Sequence, residues 1–226
     1  MTHLQPHVVP LFATPFGLVS LPNAAALNPV VASLFAGRAT ASRAGVTARQ
    51  ALTPHQALMF RSGDDVLDYP DEPVRLLTRG IIDAAIAVVR SLNDFSDEQF
   101  ATLRLQARAW FSIVKPDGHV AATNYPNAAW CAVYCVAAPE PTTRFDSGVL
   151  RLHAPLRASM FPDATNSVSH IPYQPAHSTW RPLPGEVAVF PASITHEIAL
   201  LRAAPSLVLI TALLRFLGPE QMGMPW

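Results

Sequence analysis

The side chains that could do chemistry in this sequence are few and dispersed. Eight histidines occur in 226 residues, and five of them, His119, His153, His170, His177 and His196, fall in its second half. Imidazole titrates near neutrality and can take up or release a proton, so a lone His is a sound acid or base. His196 follows the apolar run Glu186 to Phe190. Cys131 and Cys135 would lie about 13 Å apart in a strand, too far to bridge each other. A nucleophilic thiolate would need a nearby base, so they read as reduced, buried thiols of a cytoplasmic protein. The acidic stretch Asp64-Asp65 and Asp68 to Glu72 reads as a solvated face and the start of a helix, with Asp71 suited to the helix N-terminus. Asp146 reads as a turn residue.

Composition narrows the classes. The chain is 50% hydrophobic and 14% charged, which fits a core able to fold without disulfides or metal staples. Sixteen basic residues balance sixteen acidic ones, and fifteen of the basic residues are Arg, Lys115 being the single Lys. Nucleic-acid binders carry a basic surplus, so no nucleic-acid partner is expected. No segment approaches the roughly 18 to 20 apolar residues of a membrane span, and the first residues lack the pattern of a secretory signal.

The elements that must position these groups come in two regimes. Short apolar runs broken by Pro6, Pro10 and Pro15 suggest an edge strand within residues 1–20. Asn23 could cap a helix through Ala24, Leu27, Val30, Val31 and Leu34, with Pro29 inside it. Residues 37–53 are small and polar and read as a loop. A strong helix opens at Asp71-Glu72-Pro73, with Leu76, Leu77, Ile81, Ala84, Ala85, Val88, Val89 and Leu92 on one stripe. Ser96 to Gln99 fits a capping box. From residue 103 the period becomes two. Leu103, Leu105, Ala107, Ala109, Phe111 and Ile113 share one face; Arg104, Gln106, Arg108, Trp110 and Ser112 share the other, as in a half-buried strand. Pro116-Asp117-Gly118 signals a turn. Strand-like runs follow at Trp130 to Val136, Gly148 to His153, Glu186 to Phe190, Ile194 to Leu200 and Leu207 to Phe216. The expected fold class is α+β, mainly β, with residues 1–100 bracing a sheet built by 101–226, the whole forming one domain.

These pieces together resemble a family. Leu11-Phe12-Ala13-Thr14-Pro15-Phe16, Met59 to Leu67, Ala109-Trp110-Phe111, Trp130 to Val136, Gly148 to Pro155, and Pro184 to Pro191 with His196 follow the order and spacing of the 2-oxoglutarate and iron(II)-dependent oxygenases, in a branch of bacterial and phage-associated proteins. The resemblance runs almost end to end. It implies a double-stranded β-helix, a small jelly roll with a pocket at one end. It also implies iron(II) held by two His and a carboxylate or a close variant, with an Arg pairing the far carboxylate of 2-oxoglutarate.

The chain departs from that pattern at the grip itself. Where the branch carries His-Asn-His-Pro, this sequence reads Thr123-Asn124-Tyr125-Pro126. No His is followed two residues later by Asp or Glu. The distal ligand position is kept as His196, but the Arg expected about ten residues on falls near Pro205 or Ser206. Arg202 and Arg215 are close in sequence without matching the motif. His119 could rejoin His196 at a remodelled metal site only if the intervening loop folds back; His153, His170 and His177 could converge from other segments.

Three readings stay open at this point. The first is a relative that has lost most iron and 2-oxoglutarate ligands, needs neither cofactor, and keeps a pocket for a small molecule. In it His196 and Tyr125 handle protons, and Thr123, Asn124, Trp130, Tyr134 and Arg202 line the ligand site. The second is an active iron oxygenase with remodelled ligands, His196 and His119 among them. The third is a non-catalytic interaction or structural protein whose pocket is filled, with a homodimer as one form it could take.

Overall fold

Two eleven-residue strands, β3 (Arg104–Val114) and β10 (Leu207–Leu217), pair antiparallel along their full length in the computed structural model, which describes residues 13–44, 58–140, 146–154 and 177–218. Around them grows a six-stranded sheet in the order β1-β8-β5-β10-β3-β2. Its other members are β1 (Gly17–Ser20), β2 (Met59–Arg61), β5 (Trp130–Ala137) and β8 (Glu186–Pro191). A second sheet of four strands runs β4-β9-β6-β7. These are β4 (Val120–Thr123), β6 (Leu150–His153), β7 (His177–Trp180) and β9 (His196–Ile198). Every pairing between these strands is antiparallel. From β3 onward the chain passes from the large sheet to the small one and back, only β6 and β7 following each other in the same sheet.

Two type II turns help steer these crossings. In the first, Gly118 N–H donates to the Lys115 carbonyl (2.9 Å), with Pro116 second and Asp117 at φ 64° third. A Cβ on Gly118 would lie 2.5 Å from the Leu58 carbonyl oxygen, so only glycine fits there. In the second, Glu186 N–H donates to the Leu183 carbonyl (3.0 Å), and Gly185 takes φ 97° after Pro184.

The helices are α1 (Ala24–Ala44), α2 (Glu72–Arg90) and α3 (Asp97–Ala101). The small polar stretch read as a loop from residue 37 is helical as far as Ala44; residues 45–57 lie outside the described ones. Its alanines favour helix, and Val31, Phe35 and Ala39, one turn apart, give it a buried stripe. Pro29, six residues in, removes only one helical N–H. Asp71 is the N-cap residue of α2 and takes a hydrogen bond from Arg38 (2.5 Å). Val74, Leu77, Thr78, Ile81, Ala84, Ala85 and Val89 form the buried face of α2, whereas Leu76, expected in the stripe, is exposed. The capping box of α3 is present in both directions, Gln99 N–H to Ser96 Oγ and Ser96 N–H to Gln99 Oε1.

The large sheet is covered on both faces. One face packs on α1 and α2 through Phe35, Leu77, Ile81, Phe111, Tyr134 and Ile210, with Phe35 stacked 4.0 Å from Phe111. The other meets the small sheet through Cys131, Val133, Cys135, Phe190, Leu209 and Leu213 against Leu150, Leu152 and Ile198. This changes the reading of β3. Its period-two pattern sorts the residues correctly, but Trp110 and Val114 are buried between the sheets. The polar positions that share this face, Gln106, Arg108 and Ser112, are therefore half-buried or buried rather than fully solvated. Alternation states which residues share a face, not what covers that face.

Among the described residues, no helix is long and apolar enough to cross a membrane.

Candidate functional site

Thr123 ends β4 and His196 begins β9, and the two stand directly opposite each other. The chain just past β4 is pinned to the β8–β9 turn: Tyr125 N–H donates to the Ala192 carbonyl (2.8 Å), and Asn124 Nδ2 to the Ser193 carbonyl (3.4 Å). This turns the Tyr125 ring inward. It lies 5.6 Å from the His196 ring and 5.4 Å from Trp110. Phe190 meets the other side of His196 edge-on at 4.9 Å.

His196 is 6% exposed. Its Nδ1 sits 2.8 Å from the Ile194 carbonyl oxygen. A carbonyl only accepts, so Nδ1 carries the proton and donates, which leaves the lone pair of the neutral ring on Nε2. Burial holds the His196 pKa below the ordinary value, with the nearby His153 adding in the same direction and the Ile194 bond opposing. Burial also pushes the Tyr125 phenol up to about 12. At neutral pH the pair is a neutral imidazole with its lone pair on Nε2 beside a protonated phenol.

A charged group completes the surroundings. Arg61 closes β2 opposite Ser112 of β3. Ser62 then exchanges hydrogen bonds with the Phe111 backbone, at 3.0 Å in each direction, and Asp65 bridges to Ala109. Asp64, held between these anchors, reaches Arg61 (2.5 Å) and Arg108 (3.4 Å). The Arg61 guanidinium lies 4.2 Å over the Trp110 ring, whose edge partner is Tyr125. Gln106, next along that face, has a buried Oε1 that accepts no hydrogen bond among the described residues. Arg215 pairs with Gln106 across the sheet. Sequence reading gave Asp64 to a solvated acidic run and missed Arg61, Arg108 and Trp110 as site residues. The available signal was the polar face of β3, once that face is known to be covered.

Several residues expected at the site are elsewhere. Trp130 and Tyr134 alternate with Cys131, Val133 and Cys135, so they face the helices. The Tyr134 hydroxyl donates to Asn28 Oδ1 of α1 at 2.6 Å, which leaves no role in lining a ligand between the sheets. Arg202 is exposed in the β9–β10 connection, beyond the end of β9 opposite to His196, and its backbone N–H donates to Ser147 Oγ. His119 is exposed ahead of β4, while His196 faces the last residue of that strand. His153 and His177 pair across β6 and β7 with rings 6.4 Å apart. They alternate with inward Leu152 and Trp180 and so belong to the outer face, near the Arg151–Glu197 pair. His170 lies outside the described residues. Burial pushes both Cys thiols up, so they stay protonated and serve packing. Asp146 is exposed in a turn. Among the described residues, no three His, Cys, Asp or Glu side chains gather closely enough to hold a metal ion.

No protein-family model matches the chain, and no curated protein matches its sequence. Solved structures do. AviO1 from Streptomyces viridochromogenes Tue57 is 14% identical over 94% of each chain, with a TM-score of 0.56. A Pseudomonas putida prolyl-4-hydroxylase is 14% identical over 88% of this chain and 91% of its own, with a TM-score of 0.54. HygX from Streptomyces hygroscopicus, with nickel and 2-oxoglutarate bound, is 12% identical over 89% of this chain and 82% of its own, also at 0.54. At such identities the likeness is one of architecture: two antiparallel sheets braced by helices, the fold found in the 2-oxoglutarate and iron(II) oxygenases.

Proposed function

We propose that this chain is a diverged relative of the 2-oxoglutarate and iron(II) oxygenases, a single domain built on a double-stranded β-helix, that has given up most of the iron and keto-acid grip and binds a small molecule beside His196. The observation that carries this reading is the pairing of Thr123 with His196, with the Tyr125 ring packed against the same imidazole. The positions that the resemblance assigns to the early ligands thus adjoin the distal one, and they hold a hydroxyl and a neutral phenol. Neither is a good donor to iron(II), which favours imidazole and carboxylate. The start of β10 offers Leu207 and Leu209 to the space between the sheets, where an Arg would be needed for the far carboxylate. The residues present do not fit an iron and 2-oxoglutarate centre.

What they do fit is proton transfer without a metal. Nε2 of His196 accepts a proton, Nδ1–H keeps its bond to the Ile194 carbonyl, and the imidazolium that forms is the less favoured state in this buried setting. Tyr125 supplies a hydroxyl that donates to an oxygen of the bound molecule. The two reduced thiols fit a reducing compartment such as the cytoplasm.

Anaerobic titration with iron(II) tests the reading. No saturable site should appear, and His196→Ala should bind iron as the unaltered protein does. A one-to-one site abolished by His196→Ala would support remodelled ligands instead. The near-complete burial of His196 beneath Tyr125 and Phe190 favours, as a second reading, a filled interior and a non-catalytic protein. A screen of small organic acids separates the two, because a filled interior binds none of them.

A further inference from the structure

We propose that Arg61 and Arg108, balanced by Asp64, are the recognition element for the carboxylate of a small organic acid. The proposal rests on the reading that a small molecule binds beside His196, and it assigns the chemical class of that molecule.

The geometry is that of a prepared anion site. Two guanidiniums share one carboxylate, Arg61 through Asp64 Oδ1 and Arg108 through Asp64 Oδ2. Arg61 is fixed on three sides: Asp64 at 2.5 Å, the Ser62 carbonyl at 3.2 Å, and the face of Trp110 at 4.2 Å. A guanidinium carries five N–H donors in a plane, so these contacts orient the fork without exhausting it. The cluster stands at the edge of the interior, with the side chains of Arg61, Asp64 and Arg108 about one-third to two-fifths exposed. Water and solutes therefore reach it, while His196 behind it is buried. One aromatic ring, Tyr125, separates the two: it touches His196 on one side and Trp110 on the other. A molecule held by its carboxylate at the arginines would extend past the Tyr125 hydroxyl toward the imidazole. Both guanidiniums come from β2 and β3, on the opposite side of the large sheet's centre from β5 and β8. Each arginine meets Asp64 through a single nitrogen, Arg61 at Oδ1 and Arg108 at Oδ2, so the carboxylate sits between two cations. Asp64 thereby acts as an internal competitor that an external carboxylate must share or displace.

Succinate is the probe, with succinamide as its neutral counterpart and inorganic phosphate as the alternative anion, followed by calorimetry and Trp fluorescence on the full chain. Succinate should bind with a Kd below about 1 mM, and succinamide should not bind. Arg61→Gln and Arg108→Gln should each weaken succinate about tenfold or more, the usual loss of a charge-assisted contact. Arg61→Lys, which keeps the charge and loses the fork, should fall between. Asp64→Asn should bind more tightly than the unaltered protein, since the competing carboxylate is gone. Arg202→Gln, which removes an exposed guanidinium in the β9–β10 connection away from the cluster, should bind succinate unchanged. The proposal is overturned if succinate and succinamide bind alike, if the Gln variants bind as the unaltered protein does, or if neither the unaltered protein nor Asp64→Asn binds succinate. Tighter binding of phosphate than succinate overturns the carboxylate assignment. A melting temperature lowered in Asp64→Asn without any succinate binding marks the cluster as a structural ion-pair network and also overturns it. Iron titration reads separately: a His196-dependent iron site would sink the proposed function while leaving the arginine dependence to stand or fall by itself.

Discussion

At His196, burial and one carbonyl decide the protonation state. The desolvated ring favours its neutral form, so the pKa in the folded protein lies below that of the unfolded chain. At a pH above the ordinary His value both states are neutral there, and the group contributes no pH dependence. Below it the unfolded chain binds the proton first, so stability is lost as pH falls toward the folded pKa. The ring Cε1 proton of His196, followed by NMR, should titrate with a midpoint below 6.5. A midpoint at or above that value would contradict the assigned burial. Tyr134 offers a second check at this scale, because its hydroxyl is spent on Asn28, itself buried. Tyr134→Phe should cost about 1 to 3 kcal/mol by leaving Asn28 Oδ1 unsatisfied, and should leave succinate binding unchanged. Denaturant unfolding and calorimetry read these two effects separately.

At the scale of elements, stability rests on the seam between the helices and the large sheet. Phe35 of α1 stacks on Phe111 of β3, both fully buried. Phe111→Ala should therefore cost about 3 to 5 kcal/mol, measured by urea unfolding. The Pro184-Gly185 turn before β8 is a second lever. At φ 97°, with an added Cβ 2.8 Å from Ala24 Cβ, Gly185→Ala should destabilise by about 1 to 3 kcal/mol. The same elements show how far the sequence could be read. The edge strand β1, the long helix α2, the capping box of α3 and strands β3, β5, β8 and β10 were plain from periodicity and turn residues. The equally short β6 and β9 were legible only inside the longer apolar runs Gly148 to His153 and Ile194 to Leu200. β2, β4 and β7 were not, because three or four residues carry no period of their own. Their absence from the reading hid Arg61 and Asp64, which β2 delivers to the polar face of β3. Trp130 and Tyr134 were misplaced for a related reason. Alternation along β5 separates them from Cys131 and Cys135, but only the layers on either side tell which set meets a ligand.

For the molecule as a whole, His196 could be singled out in advance because the family resemblance places it, after Phe190-Pro191, at the distal ligand position. The register that sets Thr123 against it is a long-range fact, joining residues more than seventy positions apart. Two sheets in this order bring the ends of β4 and β9 together whatever side chains they carry, so architecture alone does not specify chemistry. The central claim is that a scaffold shared with iron oxygenases here works without iron or 2-oxoglutarate. The direct measurement is succinate formation from 2-oxoglutarate, after anaerobic loading with iron(II) and admission of oxygen, in the unaltered protein and in His196→Ala. The account predicts background levels in both. Succinate released in step with oxygen uptake, and abolished by His196→Ala, would contradict it.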